Sequence, residues 1–171
     1  MHLHLSFDLA AGAQDVARML ADPEFVLAKV VASGALDQQV DVVGTAGSEF
    51  TVTTRRSLPT DQIPANFRPL VGSRLDVRQV EAWEAATDDD HRRGTVVVEI
   101  SGAPVRLVGT TALVGAGGRT SLTYDGEIKA SIPLFASSVE EAASGAIRSA
   151  LAAEGQVAAR WLEGHGTTVE A

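Results

Sequence analysis

Apolar and polar residues alternate from the second position onward. Leu3, Leu5 and Phe7 fall on one side, His2, His4 and Ser6 on the other, which predicts a short strand with one buried face. After Gly12 the period lengthens: Val16, Met19 and Leu20, then Phe25, Val26 and Val30, recur at helical spacing. Asp22-Pro23 divides this stretch into two short helices, because proline is tolerated only in a helix's first turn, and Gly34 ends the pair. Six strand-like segments follow, at residues 35–44, 48–58, 73–86, 94–102, 105–115 and 119–131. Their connections carry turn chemistry (Gly44 to Gly47, Asp88-Asp89-Asp90, Gly102 to Pro104, Gly117-Gly118) and are short, which predicts antiparallel hairpins. Pro133 stops the last strand.

The helical period returns in "SSVEEAASGAIRSALAAEGQVAARWLEG". Ser137 or Ser138 can cap this long helix, with Glu140 and Glu141 in capping-box position, and Gly164 is its natural stop. Val139, Ala142, Ala143, Ala146, Ile147, Ala150, Leu151, Glu154, Val157, Ala158 and Trp161 form one side, while Glu141, Ser144, Arg148, Ser149, Gln156 and Arg160 lie mostly elsewhere. The core-facing stripe is small in its middle, with large residues mainly near its ends, at Val139 and Trp161. Two readings are open. Alanine lets a helix pack closely on a sheet and leave no space. Alternatively, a curved sheet recedes from a straight helix and alanine is too short to bridge the gap. An empty apolar void costs about 24 cal/mol per Å³. A ligand-sized space of about 300 Å³ therefore needs curvature that prevents collapse, or an occupant.

The order of elements indicates an α+β fold with a helix laid on one face of a curved sheet. It resembles the helix-grip fold of the START-like (SRPBCC) superfamily, which includes the birch-pollen-allergen relatives and polyketide cyclases. "FDLAAGAQDVARMLADPEFV" and "AAEGQVAARWL", toward the two ends of the chain, are similar to an actinobacterial branch, domain-of-unknown-function family 2505. The resemblance covers nearly the whole chain. It implies one START-like ligand-binding domain over residues 1–171, with a seven-stranded curved antiparallel sheet wrapped around the C-terminal helix, and it favours a cavity between them. Its motifs are element order and small residues, with no catalytic signature, so they bear on fold more than on activity.

Strand parity names the lining. If Phe50 and Val52 point inward, so do Thr54, Arg56 and Leu58; on the next strand Leu75, Val77, Gln79, Glu81 and Trp83 share a face. Val96, Val98, Ile100, Leu107, Leu113, Leu122, Tyr124 and Ile128 continue it. The candidate ligand-binding residues are therefore Phe50, Val52, Thr54, Arg56, Val77, Gln79, Glu81, Trp83, Val96, Val98 and Tyr124 on the sheet, with Ile147, Leu151 and Glu154 on the helix. Arg56, Gln79, Glu81, Tyr124 and Glu154 are the polar groups able to orient a ligand or transfer a proton. The plainer alternative is that they reach water at element ends or form a buried ion pair, such as Arg56 with Glu81. "LPTDQIPANFRPLVG" sets Ile63, Phe67 and Leu70 among Pro59, Pro64 and Pro69, either as a lid over the cavity mouth or as a plug completing the core.

Composition narrows the function. With 171 residues the chain is long enough for one sizeable core, and the absence of cysteine removes disulfides, thiolate metal sites and thiol catalysis. A net charge of −8 argues against nucleic acid and against anionic lipid surfaces as partners. "MHLHLSFDLAAG" lacks the features of a signal peptide, and no later apolar run approaches the roughly 20 residues that span a bilayer, so the expectation is a soluble cytoplasmic protein. His2 and His4 share a strand face but lack an evident third ligand, so no metal or other cofactor is expected. "TDDDHRRG" lacks the spacing of a calcium loop and reads as a solvated hairpin tip, and "GAGGRT" precedes no helix and reads as a turn. No nucleophile elbow surrounds a serine, and neither His91 nor His165 has an identifiable triad partner.

The leading expectation is noncatalytic binding or transport of a small hydrophobic molecule, such as a lipid, polyketide or isoprenoid, by a monomer or homodimer. The resemblance to polyketide cyclases implies an alternative: an enzyme with Glu81 or Glu154 as general acid/base and Tyr124 or Arg56 steadying an enolate. A third is an interaction module with a vestigial cavity, binding a protein partner through its acidic surface.

Overall fold

The structure, a computed structural model, describes residues 1–61, 63, 65–87 and 89–165. Pro64 and Asp88 lie outside the described residues, as does the side chain of Leu70. Strand β1 (His2–Leu9) leads into helices α1 (Ala13–Leu20) and α2 (Pro23–Ala32). Then come β2 (Asp37–Gly44), β3 (Phe50–Pro59), the short α3 (Arg68–Val71), β4 (Arg74–Trp83), β5 (Arg92–Ser101), β6 (Val105–Ala116), β7 (Arg119–Ala130) and α4 (Ala136–His165). The strands form one antiparallel sheet in the order β1-β7-β6-β5-β4-β3-β2. The seven-stranded curved sheet, the paired short helices and the long final helix are those expected from the periodicity.

Local chemistry explains the boundaries. Asp22 caps α2, its carboxylate accepting from the Glu24 N–H at 2.8 Å, with Pro23 in the first turn. Helix α4 starts earlier than its serines suggest. The Val139 N–H donates to the Phe135 carbonyl, so Ser137 and Ser138 already lie inside the first turn. Glu140 is drawn away from capping: one carboxylate oxygen accepts from the Ala130 N–H at 3.0 Å and the other from the N-terminal ammonium at 3.1 Å. Strand β5 begins two residues before the expected position because Arg92 is buried. Its guanidinium donates to the carbonyls of Ser48, Glu84 and Ala46, tying neighbouring turns together, while Thr87, Asp89 and Asp90 at the expected tip are exposed.

Two strands of the sheet approach closely where side chains are missing. Gly109 on β6 sits directly across from Gly126 on β7, and a Cβ on Gly109 would stand 2.3 Å from the Asp125 carbonyl oxygen. Helix α4 packs on α2, β7, β1 and β6. Its approach to β1 depends on Gly155, where a Cβ would come within 2.9 Å of the Phe7 ring. Ser144 is buried, contrary to its expected place off the packed face. It lies one turn before Arg148, which donates to the His4 carbonyl on β1, so this flank of the helix also faces the sheet.

One end of the wrapped sheet is solid. Phe50 stacks on Trp83, Phe25 meets Trp161 edge-on at 5.6 Å, and Val16, Met19, Leu20, Leu113 and Leu122 complete the packing. The other end is open.

Candidate functional site

A cavity of about 300 Å³ lies between the N-terminal half of α4 and the inner face of the sheet. Ala142, Ala143, Ala146 and Ala150 form its helix wall, together with Val139, Ile147 and Leu151. The sheet contributes Val77, Val96, Val98, Ile100, Val105 and Leu107. The space is not centred on the helix as the small stripe suggested. The C-terminal half, from Val157 to Leu162, packs against the solid end, so the cavity occupies only the half where alanine dominates.

The lining also includes Leu58 and Pro59 at the end of β3 and residues of three connections: Ile63 and Phe67 between β3 and β4, Ala103 and Pro104 between β5 and β6, and Ile132 between β7 and α4. Ile63 and Phe67 of the proline-rich loop thus line the cavity, and Arg68 braces the loop, its guanidinium donating to the carbonyls of Ile63 and Asp61.

Its floor is a buried charged cluster. Lys29 of α2 reaches Glu81 Oε1 at 3.2 Å and Glu154 Oε2 at 3.4 Å; Arg56 Nη1 lies 3.6 Å from Glu154 Oε1. Arg56 also donates to Gln79 at 3.2 Å, Gln79 donates to Glu81 at 2.7 Å, and the Tyr124 hydroxyl donates to Glu81 Oε2 at 3.4 Å. Two cations and two carboxylates are thereby held together out of water.

Burial penalises the Lys29 ammonium, but Glu154 and Glu81 outweigh that cost and hold its pKa above 10.5. Burial likewise disfavours the Glu81 carboxylate, and Lys29 with the Gln79 hydrogen bond overcomes it, holding the pKa below 4.5. Burial and the nearby Glu81 and Glu154 push the Tyr124 phenol well above 10.0, so it stays a neutral donor.

Of the sequence-derived candidates, the structure brings Arg56, Val77, Gln79, Val96, Val98, Tyr124, Ile147, Leu151 and Glu154 to the cavity wall. Phe50, Val52, Thr54, Glu81 and Trp83 are elsewhere. The first three and Trp83 lie toward the closed end, where β3 and β4 pair Phe50 with Trp83, and Glu81 sits behind Gln79 beneath the floor. Parity assigned the correct face and could not assign the depth along it. The suggested Arg56–Glu81 pair is replaced by Lys29–Glu81 and Arg56–Glu154. Lys29 is absent from the sequence-based candidates, although the sequence marks it: a single lysine in "FVLAKVVA", three and four residues beyond Val26 and Phe25 on the apolar face. His2 and His4 both lie beside Asp125 on the outer surface, and no metal-binding cluster occurs among the described residues.

No curated protein matches the sequence. Among solved structures, the chain is similar to the Zhui aromatase/cyclase from Streptomyces sp. R1128, with a TM-score of 0.60, 12% identity and coverage of 99% of this chain and 98% of that one. A STAR-related lipid transfer protein from Xanthomonas axonopodis gives 0.52 and 19%, covering 90% and 85% of the two chains. A START superfamily protein from Mycobacterium smegmatis gives 0.51 and 14%, covering 91% and 96%. At these identities the likeness carries the fold alone. In sequence, the profile of a family described as "Protein of unknown function (DUF2505)" matches residues 4–162. The chain therefore belongs to the DUF2505 family, and its fold is the helix grip of the START-like superfamily.

Proposed function

We propose that the protein binds a small, mainly hydrophobic molecule of the lipid, polyketide or isoprenoid kind between the sheet and α4, and holds it without chemical change. The supporting observation is the cavity of about 300 Å³ whose helix wall is alanine and whose sheet wall is branched aliphatic. Placing apolar ligand surface there contributes roughly 25 cal/mol per Å² removed from water. The arrangement of the floor favours binding over acid–base chemistry: Glu81 is committed to Lys29, Gln79 and Tyr124 as a stable carboxylate, and Tyr124 is a phenol turned toward it. The cyclase-like alternative draws on a fold shared at 12% identity, which carries no residue role with it.

A neutral apolar fluorophore, N-phenylnaphthylamine, tests the proposal. The native protein is expected to bind it at one saturable site with increased emission. Ala143→Leu combined with Ala150→Leu fills the cavity and is expected to abolish that binding while leaving the unfolding temperature unchanged or raised. Equal binding by the filled variant, or none by the native protein, contradicts the proposal.

A further inference from the structure

We propose that the protein is a homodimer in which strand β2 of one copy pairs antiparallel with β2 of a second, extending the sheet across a two-fold axis at Val40; this is independent of the binding role proposed above. The two edges of the sheet differ. Strand β1 is covered by α4, and Arg148 donates to its His4 carbonyl at 3.2 Å. Strand β2 ends the sheet on the other side, and among the described residues only β3 hydrogen-bonds to the backbone of residues 37–44. An edge in this state is a template for another strand, which proteins ordinarily block with lysine, proline or a bulge. Strand β2 carries none of these: its only charges are Asp37 and Asp41, and its register with β3 runs unbroken. Leu36 and Val43, toward its two ends, are exposed.

The occupant follows from the charges. Residues opposed across a two-fold normal to the sheet share a face, so the pairing centres on a residue and not between two. Two centres use nearly the whole strand. Centred on Asp41, the pairing sets two carboxylates directly opposite each other, which is destabilising. Centred on Val40, it sets Gln39 opposite Asp41 of the second copy, and Asp37 opposite Val43 of that copy. Gln39 is itself paired with Arg55 on β3, so Asp41 of the second copy, Gln39 and Arg55 fall in one row on the outer face. The ends of that row are about 10 Å apart between Cα atoms, a span that arginine and aspartate side chains close between them. Both groups lack a partner within the chain. Arg55 stands beside Arg78, whose guanidinium reaches Glu99 at 3.5 Å, while Arg55 and Asp41 are exposed and form no ion pair among the described residues. The two-fold supplies this contact twice.

Analytical ultracentrifugation at micromolar concentration tests the dimer and its register. The native protein is expected to sediment as a dimer. Asp41→Arg, which sets one guanidinium against another, is expected to weaken association at least about tenfold, as is Arg55→Glu. The two substitutions together restore the pair in reverse and are expected to recover much of that loss. Both positions are exposed, so circular dichroism is expected to show the native fold in all three variants. Because the chain has no cysteine, Val40→Cys places a single thiol at the axis, with the two Cα atoms about 5 Å apart. Mild oxidation is expected to link that variant into covalent dimers and to leave Asp41→Cys mostly unlinked. A monomeric native protein, a double variant no more associated than either single one, or faster linkage through residue 41 than through residue 40 overturns the proposal, and none of these outcomes bears on ligand binding.

Discussion

Lys29 sits where two carboxylates would otherwise repel each other. With a side chain 4% exposed, it bridges Glu81 of the sheet and Glu154 of the closing helix, and so couples three elements through one charge. Lys29→Met leaves two carboxylates beside Arg56 alone, and is expected to destabilise the fold by about 3–5 kcal/mol in urea unfolding at neutral pH. Recovery of much of that loss by Lys29→Met combined with Glu81→Leu would show that the cost is an uncompensated charge and not lost volume. The pH dependence follows from the directions of the shifts. Because Glu81 is held below 4.5, its contribution is complete above that value and is lost as the pH falls through its folded pKa. Because Lys29 is held above 10.5, its contribution is complete below that value and is lost as the pH rises through its folded pKa. The stability difference between the native protein and Glu81→Gln, followed by urea titration, is therefore expected to be flat from mildly acid to mildly alkaline solution and to shrink toward zero in acid. A difference that grows in acid would contradict the pairing.

At the scale of elements, missing side chains set two close approaches. The Gly109–Gly126 pair leaves no room for a side chain where β6 meets β7, and Gly155 lets α4 settle on Phe7 at the far end. Gly109→Ala places a methyl group against backbone that has no rotamer to change, and is expected to cost about 3 kcal/mol or more in thermal or urea unfolding. A neutral outcome would mean that the strands can move apart there without cost. Element type and order were legible because each segment shows one clear period: two along β1, β3 and β4, and 3.6 along α4. Element ends were less legible. The start of α4 is decided by the Phe135 carbonyl and by Glu140 turning to Ala130, and the start of β5 by what Arg92 touches; neither choice is encoded within a few neighbouring residues.

For the whole molecule, the division between a solid end and an open end is the property from which the proposed function follows. Aromatic residues from four elements, Phe25, Phe50, Trp83 and Trp161, fill one end, and alanines from a single helix leave the other unfilled. Half of that contrast was readable in the alanine stripe. The rest was hidden, because alternation gives the face of Phe50 or Val98 but not the distance of either from the mouth, and because the floor draws Lys29, Arg56, Glu81 and Glu154 from four separate segments. Native mass spectrometry of freshly purified protein, beside the cavity-filled Ala143→Leu/Ala150→Leu variant, is the most direct test of an occupied interior. The expected result is a population heavier than the bare chain by the mass of one small molecule, released on denaturation and missing from the filled variant. A native protein that shows only its own mass, and stays at that mass when a long-chain alcohol is added, would contradict the proposal that this space exists to hold a ligand.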